Sequence, residues 1–365
     1  VEYYRATGDR KGLALASQMR ERILADELNL CYSVGYNDQF WGAGLRLNGV
    51  SEPCDAIHWM RLNYELYLVT ADVKYVDEIE RCFYNAFLAA IRPDGKWGAR
   101  CVRSHGRHQK APPQSGMTLQ HCCVNNMPRG FMDAARTILA KDAQGALQVG
   151  LYHDSEATVG GDKVTVSGNY PVANEVTVAV ERKSAGKVRF RQPAWCPAMT
   201  VCGGGLCQRA TRPGWFEVDA PAGRSEWHLT FEMNARIVDS HRASVSGYDK
   251  KSPLYVRWAN NSDGDNGERD LFAHLRTTPA AQVFYGPLML AKSVKLGEDE
   301  KTILDPETVN GGGWRVTATP SAAADVWGAW TLDFEKDGQK KSVRACDYSS
   351  AAVWGKTGIE FSVFF

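Results

Sequence analysis

The sequence predicts a multidomain α+β protein in which a helical array or toroid is followed by antiparallel β-sandwich domains. Three observations lead to this prediction. Apolar residues recur at helical spacing up to Gly145, and from there to the C-terminus they alternate with polar residues at every second position. The 365 residues also exceed the ~100–200 residues of one ordinary domain, so two or three cores are expected.

The helical part contains an internal repeat. Its segments Glu2–Lys11 and Glu65–Lys74 share the end of one helix, a Thr-Gly/Ala-Asp turn and the start of another helix. Apolar residues follow each turn at helical spacing, namely Leu13, Ala16, Met19 and Ile23, and then Val76, Ile79, Phe83 and Phe87. A repeated helix–turn–helix unit predicts a hairpin array or a toroid over residues 1–145, with its last helix from about Asn126 to Lys141.

After Gly145 the two-residue alternation of strands replaces the helical period. It is clearest in Lys163–Ser167 and Glu175–Glu181, with glycine, proline and asparagine between the runs. Further strand-like runs are Trp227–Phe231, Ala281–Tyr285 and Gly358–Val363. We predict a first β-sandwich at 146–240 and a second β-sandwich or β-rich region at 241–365.

The charge and hydropathy patterns argue against two classes of partner. Lysine and arginine number 43 against 42 acidic residues, for a net charge of +1, and no basic run is long enough to follow a phosphate backbone. No apolar stretch approaches the ~18–20 residues that cross a bilayer. Nucleic acid and a membrane span are therefore not expected. Since the chain begins with Val1 and enters a helical pattern almost at once, we expect an N-terminal portion to be missing, together with any targeting signal.

Four residues could form a metal site. Glu52 and Cys54 precede the adjacent Cys122 and Cys123 by about one hairpin repeat, so a toroid could bring both clusters to the same mouth. One carboxylate and three thiolates suit Zn²⁺, which favours soft sulfur and a tetrahedral shell. Two other interpretations are open from the residues alone, because the cysteines could be buried free thiols or could form disulfides with other cysteines.

The motifs around these residues resemble those of a known enzyme family. The segment Cys122–Arg129 resembles the Cys-Cys-x-x-Asn-x-x-Arg signature of the β-L-arabinofuranosidases of glycoside hydrolase family 127. Glu52-x-Cys54 is similar to that family's Glu-Thr-Cys. Two softer matches keep the same order: the Thr-Gly-Asp turn at 7–9, and Tyr285–Leu288, where the family has an Arg-Gly-Pro-Leu strand.

The resemblance implies an (α/α)6 barrel followed by β-sandwiches. The family's sugar-binding histidines lie before the Thr-Gly-Asp turn, so roughly half of the toroid would precede Val1 and residues 1–145 would form its second half. The resemblance also implies that Glu52, Cys54, Cys122 and Cys123 bind zinc, with Cys122 as the nucleophile.

Sulfur suits this role. A free thiol with a pKa of ~8.5 is mostly protonated at neutral pH, whereas a metal-bound thiol is deprotonated outright. Attack of the thiolate on an anomeric carbon, followed by hydrolysis of the glycosyl thioether, would retain the anomeric configuration.

Further candidate residues flank these motifs. Asp38 matches the family's acid/base position, but this chain has Asn-Asp-Gln-Phe where the family has Gly-Glu-x-Phe. Its carboxylate is one methylene shorter, and Asp38 could instead serve as a turn or helix-cap residue. Trp41 could stack on a sugar or fill a core. In the basic loop 92–116, His105 and His108 could contact a sugar or acidic glycan, or could face water. His121 could support the metal ligands or pack in the core.

These observations predict a retaining glycosidase of the β-L-arabinofuranosidase type that uses Zn²⁺ and acts on an oligosaccharide or glycan. Two alternatives are open: a catalytically degenerate carbohydrate-binding relative with structural zinc, and a polysaccharide lyase with toroid-plus-sandwich architecture. A homodimer through the β-domains is a further prediction. The sequence fits equally a bacterial protein of the cytoplasm, of the periplasm or of the exterior.

Overall fold

The computed structural model describes residues 1–29, 31–35, 52–91, 95–97, 105–106, 122–239, 281–299, 301, 303–304, 312–352, 361–363 and 365. Within them the chain is a mixed α+β protein, with a helical part first and three β-sheets after it. None of the helices in these ranges has the length and apolar character needed to span a membrane. The predicted boundary between the two β-regions, near residue 240, lies outside the described residues.

The helical part contains five described α-helices. In chain order they are α1 (Glu2–Thr7), α2 (Arg10–Asp26), α3 (Pro53–Thr70), α4 (Val73–Cys82) and α5 (Cys122–Ile138). A π-helical turn at Phe83–Phe87 continues α4. α5 begins earlier than the helix predicted from about residue 126. Both members of the cysteine pair therefore lie in its first turn.

The two copies of the predicted repeat make the same hydrogen bonds. The hydroxyl groups of Thr7 and Thr70 each donate to the carbonyl oxygen four residues earlier, over 2.6 and 2.8 Å. Asp9 and Asp72 each cap the following helix, because their carboxylates accept from the backbone N–H two residues later. The two copies of the repeat therefore form turns with the same hydrogen-bonding pattern.

A buried arginine joins three of these helices. Arg20 of α2 lies between the rings of Trp59 in α3 and Tyr75 in α4, 5.5 and 5.3 Å from their centroids. Its Nε also donates to Oδ1 of Asn63 over 3.0 Å. The guanidinium thus combines a satisfied hydrogen bond with two cation–π contacts at the centre of the helical part.

Most of the described strands follow the helices, and one short strand lies between α4 and α5. In chain order they are β1 (His105–Gly106), β2 (Leu139–Lys141), β3 (Leu147–Val149), β4 (Ser155–Val159), β5 (Asp162–Ser167), β6 (Glu175–Arg182), β7 (Gly186–Gln192), β8 (Met199–Gly203), β9 (Leu206–Ala210), β10 (Gly214–Ala220), β11 (Gly223–Phe231), β12 (Ala235–Asp239), β13 (Ala281–Tyr285), β14 (Leu288–Ser293), β15 (Arg315–Ser321), β16 (Ala329–Lys336), β17 (Gln339–Asp347) and β18 (Phe361–Ser362). The predicted runs at 163–167, 175–181, 227–231 and 281–285 all lie within these strands.

The strands form three sheets. The first has the order β10-β7-β3-β2 and the second the order β4-β5-β6-β11-β8-β9. Phe190 of β7 and Trp227 of β11 meet between these two sheets with ring centroids 5.9 Å apart, as in a β-sandwich. The third sheet has the order β1-β18-β14-β17-β16-β15, and β13 joins β12 to β14 at its side.

One pairing differs from the predicted antiparallel sheets. β3 and β7 are parallel, with Leu147 opposite Val188 and Val149 opposite Phe190. The reason is the path of the chain, which crosses to the second sheet as β4, β5 and β6 before it returns in the same direction. Parallel neighbours require such a crossover. The other pairings among the described strands are antiparallel.

The π-helical turn connects the helices to the third sheet. Asn85 Nδ2 donates to the carbonyl oxygen of Pro287 over 2.9 Å, and Asn85 Oδ1 accepts from the N–H of Met289 over 2.8 Å. Pro287 lies in the turn between β13 and β14, within the segment that resembles the family's Gly-Pro-Leu. A single amide side chain therefore pairs with the backbone on both sides of this turn.

A buried ionic cluster connects α4 to the first sheet. Arg191 of β7, fully buried, makes ion pairs with Asp77 and Glu80 of α4. Glu80 also accepts hydrogen bonds from the hydroxyl of Tyr170 over 2.6 Å and from Nε1 of Trp195 over 2.9 Å. Because each carboxylate here faces a cation, the charges can be buried between the helices and the sheet.

Candidate metal centre

Glu52, Cys54, Cys122 and Cys123 meet between the first turns of α3 and α5. One donor atom from each lies within 4.8 Å of the others. The Sγ atoms of Cys54 and Cys123 each lie 3.3 Å from Oε2 of Glu52. The three Sγ–Sγ distances are 3.4, 3.8 and 3.9 Å. The two motifs of the sequence thus converge on one place.

Local sequence explains why α3 begins at this point. Pro53 occupies the start of the helix, where its missing N–H removes no helical hydrogen bond. Glu52 and Asp55 form a capping box, in which Asp55 Oδ2 accepts from the Glu52 N–H over 3.2 Å. As the capping residue, Glu52 has extended backbone angles, and its carboxylate lies beside Cys54.

α5 carries its cysteines in a helix that contains a proline. Pro128 has no N–H, so the carbonyl oxygen of Val124, four residues earlier, loses its usual helical partner. Nε1 of Trp97 donates to that oxygen instead, over 3.1 Å. The indole therefore supports the turn that positions Cys122 and Cys123.

Gly130 allows α5 to pack closely against its neighbours. A β-carbon at this position would overlap Cε2 of Phe87 and would lie 3.0 Å from Cγ1 of Ile57 in α3. Both of these side chains are fully buried and have no room to retreat. Glycine thus sets the spacing between the two helices that carry the donor atoms.

Replacing Gly130 with alanine should destabilise the protein by ~1–3 kcal/mol. It should also weaken metal binding, because α5 must shift to relieve the overlap with Phe87 and the close approach to Ile57. Thermal unfolding and metal titration would measure the two effects. Ala135→Ser, on the exposed face of α5, is the control and should change neither. Parental metal affinity in a folded Gly130→Ala variant would show that helix spacing does not set the site.

Two thiols of the cluster, those of Cys54 and Cys122, resist ionisation when no cation is near. The pKa of Cys54 is raised by its hydrogen bond to Cys123 and by burial. Burial and the neighbouring Cys123 raise the pKa of Cys122. The thiol forms therefore dominate at neutral pH, and a bound cation would shift the balance towards thiolates.

The four residues differ in their access to solvent. Cys122 is exposed, whereas Glu52, Cys54 and Cys123 have exposed fractions of only 2%, 8% and 0%. Within this set, Cys122 is therefore the sulfur that a substrate can reach. The three buried donors can only hold or orient what binds beside it.

The donor spacing fits a tetrahedral zinc ion. Zn–S bonds of ~2.3 Å and Zn–O bonds of ~2.0–2.2 Å at tetrahedral angles imply S···S separations of ~3.8 Å and S···O separations of ~3.6 Å. The S···S distances of 3.4–3.9 Å and the S···O distances of 3.3 Å are close to these values. A mainly sulfur donor set also favours zinc over magnesium or calcium, which prefer oxygen.

Disulfides involve none of the four residues. The free cysteines of the described part are Cys31, Cys54, Cys82, Cys122, Cys123, Cys196 and Cys346. In the same part, one disulfide joins Cys202 to Cys207 across the β8–β9 hairpin. The interpretation of the cluster as disulfides to other cysteines therefore does not hold for the residues that the structure describes.

Most of the other predicted site residues lie outside the described part of the chain. These are Asp38, Trp41, His108 and His121. The backbone of His105 forms part of β1 and pairs with Ser362 of β18, and its side chain lies outside the described residues.

His58 of α3 is a titratable residue that no motif indicated. It lies one helical turn after Cys54, on the exposed face of α3. Burial and the guanidinium groups of Arg129 and Arg61 lower the pKa of its imidazole. The spacing of four residues from Cys54 was the available signal, because residues at that spacing share a helix face.

Comparison with known proteins gives a family for the helical part. Residues 1–136 match the family model of the β-L-arabinofuranosidase GH127 catalytic domain. This part of the chain is therefore similar to the catalytic domain of glycoside hydrolase family 127. This GH127 segment contains both copies of the helical repeat and all four donor residues. No curated protein matches the chain.

Solved structures share the fold of the GH127 segment and of the sheets after it. A GH127 β-L-arabinofuranosidase from Geobacillus stearothermophilus T6 has a TM-score of 0.66 and 17% identity, over 94% of this chain and 55% of its own. A second structure, a glycoside hydrolase, has a TM-score of 0.69 and 17% identity, over 99% of this chain and 63% of its own. A third, a GH127 β-arabinofuranosidase, has a TM-score of 0.69 and 16% identity, over 99% of this chain and 58% of its own. The chain thus spans somewhat more than half the length of these proteins.

Proposed function

We propose that the protein is a retaining glycoside hydrolase of the β-L-arabinofuranosidase type, whose helices form part of an (α/α)6 barrel. The proposal rests on the donor set, in which three sulfurs and a carboxylate oxygen converge and the sulfur of Cys122 is exposed. It is supported by the GH127 match of the segment that contains the set.

In this proposal Glu52, Cys54, Cys122 and Cys123 hold Zn²⁺. When bound, zinc deprotonates the thiols and so keeps sulfur nucleophilic at neutral pH. Glu52 contributes a carboxylate that is fixed by its capping box, and Cys54 and Cys123 are fixed by burial in two helices. These contacts would hold Cys122 at the surface of the cluster.

Cys122 would attack the anomeric carbon of the substrate. A C–S bond forms as the bond from that carbon to the leaving oxygen breaks, which gives a glycosyl thioether. Water then displaces the sulfur, and the two inversions together retain the configuration. A general acid must protonate the leaving oxygen and afterwards take a proton from the water, and Asp38 is our candidate for this role.

Metal analysis and hydrolysis of an aryl β-L-arabinofuranoside test the proposal together. We expect one zinc ion per chain. We also expect the first sugar product seen by NMR to have the same anomeric configuration as the substrate. Stoichiometric zinc without hydrolysis of any glycoside would favour a carbohydrate-binding relative with structural zinc. Fully reduced protein, with all its free thiols alkylatable, that still binds no zinc would contradict the metal site.

Zinc affinity should rise with pH. The raised pKa values of Cys54 and Cys122 mean that the metal-free cluster retains these protons above the ordinary thiol value of ~8.5. Zinc must displace these protons, so its affinity should increase by up to ~tenfold per pH unit for each proton released. Competition with a chromophoric chelator between pH ~6 and ~8 measures the slope. An affinity independent of pH would show that the thiols are already ionised.

A further inference from the structure

Cys122 is the exposed member of a cluster of three thiols, and the other two, Cys54 and Cys123, are buried. We propose that Cys122 is an oxidation site, which peroxide converts to a sulfenic acid and which Cys54 then closes into a reversible disulfide. This disulfide would dismantle the donor set. The importance of the modification rests on the proposed function, whereas its chemistry rests on the geometry of the thiols.

Access to solvent favours Cys122 as the first sulfur to react. The other free cysteines of the described part are buried, and these are Cys31, Cys54, Cys82, Cys123, Cys196 and Cys346. Peroxide must approach the sulfur directly, so exposure selects among cysteines of one protein. The exposed sulfur also has two others close by, at 3.8 and 3.9 Å.

Backbone geometry selects Cys54 as the partner. Cys123 is the next residue, and Cα atoms across a trans peptide are ~3.8 Å apart, below the ~4.4–6.8 Å that is usual for disulfides. Cys122 and Cys123 are also held in the first turn of α5. Cys54 lies on α3, so its bond to Cys122 would cross between two helices without this restriction.

One molecule of hydrogen peroxide oxidises the two thiols in two steps. The Cys122 sulfur attacks one oxygen of hydrogen peroxide, the O–O bond breaks, and a sulfenic acid and one water result. The Cys54 sulfur then attacks the sulfenic sulfur, so that an S–S bond forms and the S–O bond breaks. The hydroxyl group leaves with the Cys54 thiol proton as a second water. Two thiols are oxidised and one peroxide is reduced.

The disulfide would remove two of the three sulfur donors. Cys123 and Glu52 would remain, which is too few for the four-coordinate shell of a protein-bound zinc ion. Oxidation would therefore release the metal and block the exposed sulfur in one event. A thiol reductant would restore both thiols and the complete donor set.

Limited treatment of the zinc-loaded protein with hydrogen peroxide tests this inference. We expect a Cys54–Cys122 cross-linked peptide by mass spectrometry, with Cys123 still alkylatable, and zinc release to a chromophoric chelator. Both changes should be reversed by dithiothreitol. In Cys54→Ser the Cys122 sulfenic acid should persist and react with dimedone. Cys346→Ala, which alters a buried thiol of the third sheet, should behave as the parent.

Two results would overturn the inference. One is a disulfide between any other pair of cysteines, and the other is direct oxidation of Cys122 to sulfinic acid in the parent protein. The readouts are a peptide mass and released zinc, so they do not require glycoside hydrolysis. A protein that forms the disulfide but hydrolyses no glycoside when untreated would refute the proposed function alone.

Discussion

Replacing Cys122 with alanine should lower kcat/KM for an aryl β-L-arabinofuranoside by at least ~10³-fold. The substitution removes the one exposed sulfur of the donor set, and the buried Cys54 and Cys123 cannot reach a substrate in its place. Cys122→Ser should be almost as impaired, because a hydroxyl is a much weaker nucleophile than a thiolate. Initial rates, measured with the zinc content of each variant, give the effect.

The control for this experiment is Cys346→Ala. Its thiol is fully buried in β17, within the third sheet, and donates only to the carbonyl oxygen of Ala291. This variant should keep the parental kcat/KM and zinc content. A folded Cys122→Ala protein with parental kcat/KM would show that another group attacks the sugar.

Replacing Arg191 with methionine should lower the free energy of unfolding by ~3–5 kcal/mol at neutral pH. Methionine fills a similar volume but leaves Asp77 and Glu80 buried without their cation. The hydrogen bonds from Tyr170 and Trp195 to Glu80 cannot replace a positive charge. Chemical denaturation followed by circular dichroism measures the loss.

The deficit of Arg191→Met should shrink in acid. Burial raises the pKa of Asp77 in the folded protein, so its protonated form is favoured by folding. This contribution is fully present below the unfolded pKa of ~4 and is lost as the pH rises through the higher folded value. Removing Arg191 raises the folded pKa further, so the variant should be closest to the parent at about pH 4.

Arg189→Met provides the matched control on the same strand. Arg189 pairs with Asp142 and Glu217 at a partly exposed position, where solvent screens the charges. Its loss should change stability little at any pH. Equal losses in the two variants would show that burial is not what makes the Arg191 cluster important.

The helical repeat could be predicted because its signals are local. The hydroxyl of Thr7 and the carboxylate of Asp9 bond to backbone groups within four residues, so a short stretch of sequence determines the turn. The start of α5 was placed too late for the converse reason. A start near 126 puts Pro128 in the first turn, where proline is tolerated. The helix begins before Pro128, and the carbonyl oxygen that the proline leaves without a helical partner accepts from Trp97, which is remote in sequence.

In the sheets and in the site, too, local features could be predicted from the sequence and features that depend on distant residues could not. Alternation locates strands such as Glu175–Arg182, but the parallel partner of β3 depends on the route of the chain between the sheets. Asp77 and Glu80 look like ordinary charged residues of a helix, because the arginine that neutralises them lies on a distant strand. For the donor set, motif order indicated the four residues, whereas their unequal exposure appears only in three dimensions.

The bonds made by Asn85 bear on how this protein could be divided into parts. The GH127 match ends at residue 136, which invites a gene fragment that stops there. In such a fragment the Asn85 amide would lose its bonds to the backbone groups of Pro287 and Met289, and it would keep its bond to the carbonyl oxygen of Arg81. The helices before residue 136 are thus bonded to the third sheet, and a fragment that ends there should be less stable than the whole chain. A fragment made to study the GH127 segment should therefore include the third sheet.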